Sequence, residues 1–274
     1  MKEGSPAAER EQLPDIDVSK PHTARFWNYL LDGKDNYPAD RAAGEQILAI
    51  APGFRDAARA VRGFLGRAVR HLVADAGIRQ FLDIGTGLPT ANNTHEVAQA
   101  AAPECRIVYV DNDPLIMAHA RALLTSTPEG TTDYVYADLR DPDTILREAA
   151  RTLDFTQPVG LMLLGILNHI MDTVEAHVIV NQLLNALPSG SYLAVSHPTT
   201  EIDAEVMLEV VRQWNEGGGT PPVVFRDCYE LTLFFDRLEL LEPGVVSCSL
   251  WRPDLVGFRA PPAVYEFGGV GRKP

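Results

Sequence analysis

The sequence predicts a doubly wound α/β fold: a mostly parallel, Rossmann-like sheet preceded by an N-terminal helical cap. Three observations predict it. From Arg79 onward, short apolar runs near 80–84, 106–110, 133–137, 159–164 and 190–196 alternate with segments of helix length, the pattern of strands buried on both faces. The first run ends in Asp83-Ile-Gly-Thr-Gly87, where glycine permits a sharp turn and the close approach of a ligand. The next two runs deliver Asp111 and Asp138 at their carboxyl ends, and right-handed crossovers bring all three acids to one edge of the sheet.

The elements follow in order. Residues 1–19 are charged, contain two prolines and show no hydrophobic period, so a flexible lead is expected there. A cap of three helices is expected over 20–78. His22 to Leu31 places Phe26, Trp27, Leu30 and Leu31 at helical spacing, Ala39 to Ile50 runs until Pro52-Gly53, and Phe54 to Ala76 puts Val61, Phe64, Leu65, Ala68 and Leu72 on one face. The remaining core, 79–274, holds the strand and helix alternation, with helices expected at 92–102 and from Asp141-Pro142. Its last third reads as a helix from Glu201 to Glu216, a Gly217–Pro222 loop and a short helix from Leu231 to Phe235. Strand-like Leu238–Leu241 and Ala263–Phe267 then suggest a hairpin closing the sheet.

Composition narrows the function. A chain of 274 residues, 46% hydrophobic and 22% charged, is long enough to bury a sizeable core. Against 24 basic residues stand 37 acidic ones, and the formal charge of −13 argues against nucleic acid and against an anionic membrane as partners. No apolar run reaches the ~18 residues of a membrane span, and Met1-Lys-Glu-Gly-Ser-Pro6 lacks the apolar heart of a signal peptide, so a cytoplasmic location is expected. Cys105, Cys228 and Cys248 are far apart with no ligand spacing, so no metal site is expected.

The acids and glycines define a nucleotide-cofactor site. Asp83 is placed to accept from an ammonium or a backbone amide. Asp111 follows Gly87 by 24 residues, close to the spacing of about 20 at which a strand-end acid takes ribose hydroxyls. Asp138 is placed to accept the exocyclic amine of adenine with Leu139 against the ring, although a helix cap is an equal reading for Asp138 alone. A nicotinamide-dependent oxidoreductase is the rival enzyme, because Gly85-Thr-Gly-Leu-Pro-Thr90 overlaps its fingerprint. Against it, Thr90 stands where a third glycine belongs, and Pro89 removes an amide from the helix start. The combination favours S-adenosyl-L-methionine (SAM), with S-adenosylhomocysteine as its product. A SAM-binding protein without transfer activity is the alternative from another class.

With those residues in place, the chain resembles the class I SAM-dependent methyltransferases. It is similar in particular to an actinobacterial S-adenosyl methyltransferase group formerly classed as a domain of unknown function. The resemblance rests on Leu30-Leu-Asp-Gly-Lys-Asp-Asn-Tyr37, Gln80–Thr90, Val108-Tyr-Val-Asp-Asn-Asp-Pro114, Ala137-Asp-Leu-Arg-Asp-Pro142 and Gly190-Ser-Tyr-Leu193. It implies a seven-stranded sheet with an antiparallel final strand. Asp83, Gly85, Thr86 and Gly87 would line the methionine end of the cofactor, and Asp111 the ribose. Asn112 would meet the adenine edge, with Asp138 and Leu139 at its amine and face. The same likeness suggests a lid over Lys34–Tyr37, in which Asn36 and Tyr37 meet a methionine carboxylate that Arg62 pairs bidentately. Where the group is expected to carry Leu-His-Phe, this chain has Leu167-Asn168-His169, so that histidine's role does not transfer directly.

Methyl transfer is an in-line displacement that needs a base only when the acceptor must lose a proton. His169, after the fourth strand, and His197, at the end of the fifth, are the catalytic candidates; for each, a structural histidine satisfied by the backbone is the competing reading. Trp251 is a further candidate for the wall of an acceptor pocket. A small-molecule acceptor is expected, and the N-terminal helices offer a surface for a homodimer.

Overall fold

A computed structural model describes residues 16–116, 119, 125–254 and 260–274. Of the expected lead, positions 1–15 lie outside the described residues. Five strands run parallel: β1 (Gln80–Ile84), β2 (Arg106–Asp111), β3 (Thr131–Tyr136), β4 (Gly160–Leu164) and β5 (Tyr192–Pro198). Two short strands, β6 (Glu239–Leu240) and β7 (Val246–Ser247), and the longer β8 (Glu266–Arg272) complete a sheet in the order β3-β2-β1-β4-β5-β8-β6, with β7 also on β8. β8 is antiparallel to β5 and to β6. Among the described residues the sheet therefore has eight strands where the resemblance implied seven, and the addition is the two-residue β7. Strand order reverses between β1 and β4, and the crevice at such a switch point is where open α/β sheets bind ligands.

Each face of the sheet has its own core. Phe81, Ile107, Met162, Ala194 and Val270 pack beneath α3 (Phe54–Ala74), whose Phe64, Leu65 and Leu72 meet them. Leu82, Val108, Leu161, Leu163 and Val195 face α5 (Pro142–Ala149) and α6 (Thr173–Ala186) through Ile145, Ile179 and Leu183. A third core lies in the cap. There Phe26 and Leu30 of α1 (Thr23–Leu30), Ile47 of α2 (Pro38–Ile50) and Phe54 pack against Met207, Val210 and Trp214 of α7 (Ala204–Glu216). A buried ion pair, Arg25 to Asp40 at 2.9 Å, ties α1 to α2, and Asp40 also accepts the backbone N–H groups of His22 and Tyr37.

Several boundaries move for local reasons. β5 starts at Tyr192 rather than 190 because Gly190, at φ +83°, forms a turn whose N–H donates to Lys273. α4 (Thr94–Ala101) starts at a capping box between Asn93 and Glu96, and α8 (Cys228–Leu233) at one between Asp227 and Glu230. The largest shift is in β8, expected to end at Phe267 but running on through Gly268-Gly-Val-Gly271. Those glycines read as loop in sequence. In the fold a Cβ on Gly268 would lie 2.9 Å from the Val195 carbonyl and 3.0 Å from the Phe64 ring, and one on Gly271 would lie 2.8 Å from Phe235. The absent side chains let aromatic rings pack directly on the strand.

Candidate active site

The carboxyl ends of β1 to β4 open into a cleft with about 1240 Å³ of empty space, its mouth included. Gly85 and Gly87 form its inner turn, both at positive φ (+79° and +62°), which explains glycine at each. Their surroundings differ. A Cβ on Gly85 would fall 2.6 Å from Ile166 in the loop after β4, whereas one on Gly87 would meet nothing within 4 Å. Gly85 thus serves protein packing and Gly87 leaves open space.

Beside that turn, Asp111 accepts the Gly87 N–H at Oδ2 (3.1 Å) and the Asp113 N–H at Oδ1 (2.9 Å). Each oxygen keeps a lone pair for a ligand hydroxyl. Burial pushes the Asp111 carboxyl up to about 6 against the opposing pull of those two amides. Asn112 donates to Asp138 at 2.8 Å, joining the ends of β2 and β3, and Leu139, also on the cleft wall, is buried. Thr86 lines the cleft with them.

Asp83 sits elsewhere. Side chains alternate along β1, so Ile84 faces the cleft while Asp83 lies on the wall of an adjoining side cavity with Arg62, Thr94, Tyr109 and Tyr134. Its carboxylate accepts the Thr94 hydroxyl at 2.6 Å, and burial raises its pKa to about 6 despite that bond and Arg62. Arg62 reaches both spaces. One terminal nitrogen donates to the carbonyls of Ala91 and Asn92, while its buried Nε has no partner.

Four expectations are corrected. Asn36 and Tyr37 are absent from the cleft wall: Asn36 donates to Asn28 and Gly33, and Tyr37 caps α2 with its ring under Arg25. The loop's polar groups hold the loop itself. His197 is fully buried away from the cleft, donating Nδ1–H to Pro198 O (2.7 Å) and accepting Arg226 Nη1 at Nε2 (2.9 Å), so both nitrogens are committed. Trp251 is also fully buried, edge-on to Phe64 at 5.3 Å, and lines neither the cleft nor its side cavity.

His169 does line the cleft, in a 3₁₀ turn over Leu167–His169. Its Nδ1–H donates to Pro222 O at 3.1 Å, its unprotonated Nε2 accepts the Asn168 side-chain amide at 3.4 Å, and burial lowers its pKa to about 4. Arg226 fixes this turn from below by donating to the carbonyls of Leu167 (2.9 Å) and Ile170 (2.7 Å). The ring is a neutral hydrogen-bonding group.

Sequence reasoning missed the roof and the far wall. Ala24, Trp27 and Asn28 of α1, Ala58 and Val61 of α3, and Glu266 of β8 all line the cleft. For the roof there was no signal beyond an amphipathic helix. For Glu266 there was one: an acid set between Tyr265 and Phe267 in an apolar run.

A doubly wound sheet with a glycine turn at its switch point and acids after the next two strands defines a nucleotide-cofactor fold of the methyltransferase class. Residues 9–274 match the S-adenosyl methyltransferase family, and the chain belongs to it. It is 45% identical to a DUF574 family protein from Streptomyces avermitilis, over 95% of this chain and all of that one, with a TM-score of 0.89. A candidate methyltransferase from Thermobifida fusca is 38% identical over 94% of this chain and 96% of its own, with a TM-score of 0.85. An O-methyltransferase family protein from Burkholderia thailandensis, 14% identical over 76% of this chain and 55% of its own, shares the fold at a TM-score of 0.50. No curated protein matches. The chain is a SAM-dependent methyltransferase. Among the described residues no helix is long and apolar enough to cross a membrane.

Proposed function

We propose that the cleft and its side cavity hold SAM across the Gly85–Gly87 turn and deliver its methyl group to a small molecule lying under α1. The observation that carries this reading is the side cavity, where an acid, Asp83, and the unpartnered Nε of Arg62 stand together next to the acid-lined cleft. Opposite charges in one small space suit the ammonium and carboxylate of an amino acid. Asp111 then accepts the ribose hydroxyls, Asp138 the adenine amine, and Leu139 packs on the ring.

When bound, SAM supplies a methyl carbon made electrophilic by its sulfonium. The chain's own residues position and exclude. Ala24, Trp27, Ala58 and Val61 form an apolar roof and side wall that keeps water from the transfer point. His169 shapes the wall as a neutral ring whose two nitrogens are engaged by the protein, Nδ1–H by Pro222 O and Nε2 by the Asn168 amide. At a pKa of about 4 it is too weak to act as a strong base near neutrality. A homodimer through the cap would use its outer faces, because Phe26, Leu30, Ile47 and Phe54 are already packed within the protomer.

Calorimetry with SAM, S-adenosylhomocysteine and NAD tests the cofactor reading; NAD binding without SAM binding sinks it. Incubation with methyl-labelled SAM and an extract of the producing cell then tests transfer. The expected result is label in a small, extractable product, and label confined to protein or nucleic acid overturns the acceptor class.

A further inference from the structure

Glu266 opens β8 at the cleft wall with 1% of its surface exposed, and neither carboxyl oxygen has a hydrogen-bond partner. Antiparallel pairing sets it opposite Pro198 and sets Gly268 opposite Ser196, so these four residues share one face of the sheet. The Ser196 hydroxyl is likewise buried and unpartnered. Among the described residues no Lys, Arg or His forms an ion pair with Glu266, and burial alone pushes its carboxyl well above the usual range.

Such a group is costly in the empty protein, since a buried carboxyl with no partner loses its water and gains nothing in return. An apolar residue at the same position would pack at no such cost. The cleft that Glu266 lines also has apolar walls, from Ala24, Trp27, Ala58, Val61 and Leu164. A ligand satisfies Glu266 in one of two ways: with an acceptor for the protonated acid's O–H, or with donors to both oxygens of the carboxylate. A hydroxyl brings one donor and no charge; a protonated amine brings up to three donors and the counter-charge that lets the carboxylate ionise. Trp27, in the roof of the same cleft, adds an aromatic surface of the kind that tolerates cations.

Resting on the methyltransferase reading of the cleft, we propose that Glu266 is the specificity-determining residue for the methyl acceptor, and that the acceptor carries a basic nitrogen paired with this carboxylate. The nitrogen is an anchor; the methylated atom is whichever nucleophile that anchor holds toward the sulfonium.

The test uses a series of primary amines from methylamine to tryptamine, each beside the alcohol of the same skeleton, with binding measured by calorimetry with and without S-adenosylhomocysteine. At least one amine is expected to bind the wild-type chain tenfold or more tightly than its alcohol. Glu266→Gln should abolish that preference while leaving S-adenosylhomocysteine affinity within twofold. Glu266→Leu should also raise the melting temperature of the empty protein, by about 3 °C, because it removes an unsatisfied buried group. No amine outbinding its alcohol, an unchanged preference in Glu266→Gln, or a lower melting temperature in Glu266→Leu each overturns the proposal. Loss of S-adenosylhomocysteine affinity in Glu266→Gln also overturns it, by placing the carboxyl in the cofactor site. If S-adenosylhomocysteine fails to bind the wild type, the cofactor reading falls, and the amine series without it still decides the role of Glu266.

Discussion

The two halves of the cleft are built by different means. Along β1 to β3 the wall is polar and local: a glycine turn, Asp111 held by amides two and 24 residues away, and Asp138 joined to Asn112. Along β4 and β8 it is apolar and long-range. Its polar exceptions, His169 and Glu266, are buried, and the turn carrying His169 is held by Arg226 from 56 and 59 residues away. A cofactor common to many enzymes can be met by a short motif, whereas an individual acceptor needs a surface assembled from distant segments. The halves should therefore respond separately to substitution.

The largest effect is expected where they touch. Gly85→Ala combines a left-handed conformation, about 1–2 kcal/mol, with overpacking against Ile166, about 1–3 kcal/mol, and should destabilise the fold by about 4 kcal/mol in denaturant titrations. Ile166→Ala added to it should recover the overpacking share and not the rest. Gly87→Ala, with open space around it, should cost only the conformational share; equal losses at both glycines would erase the distinction drawn between them.

Next comes Arg226→Ala, which strips buried carbonyls and His197 of their donor and should cost about 3 kcal/mol. Melting should fall by roughly 6–10 °C with cofactor affinity changed less than threefold. A large loss of cofactor affinity here would show the halves to be coupled. Asp111→Ala is the mirror case: about a hundredfold loss of S-adenosylhomocysteine affinity, near 2.7 kcal/mol, with little change in melting of the empty protein. Undiminished affinity would refute the ribose assignment.

The smallest and most graded effect is that of pH. Asp111 and Asp83 both titrate near 6, raised by burial. Cofactor affinity should hold above that value and fall as pH drops through it, by up to tenfold per unit for each acid that must be ionised. Asp111→Asn should flatten its share. The empty fold should respond with the opposite sign: a raised carboxyl pKa means the native state holds more protons than the unfolded chain, so stability rises as pH falls from about 6 toward the ordinary value of 3.8. Affinity that is level from pH 7 to 5 would contradict both shifts.

The same division decides what could be read from the chain. Strands β1 to β5, the cap helices and the acids Asp111 and Asp138 were legible because hydrophobic period and a strand-end acid are local signals. Asp83 was found, but its cavity was not, because facing follows from β1's pairing with its neighbours. His197 and Trp251 were read as site candidates from chain position, whereas their surroundings come from Arg226, Phe64 and other distant residues. β8 was cut short because its glycines signal a loop until Phe64 and Phe235 are known to lie against them.

The contact between Gly85 and Ile166 also sets a rule for recombining this protein. A chimera that takes its sheet from here as far as β3 and its later strands from a relative brings together two segments that must fit without a Cβ between them. Any residue at 166 bulkier or differently branched than isoleucine would press on the Gly85–Gly87 turn, however well the rest of the borrowed half folds. Crossover points between β3 and β4 therefore cost stability wherever the fit between positions 85 and 166 is lost, and position 166 is the first to restore when such a hybrid folds poorly or stays inert.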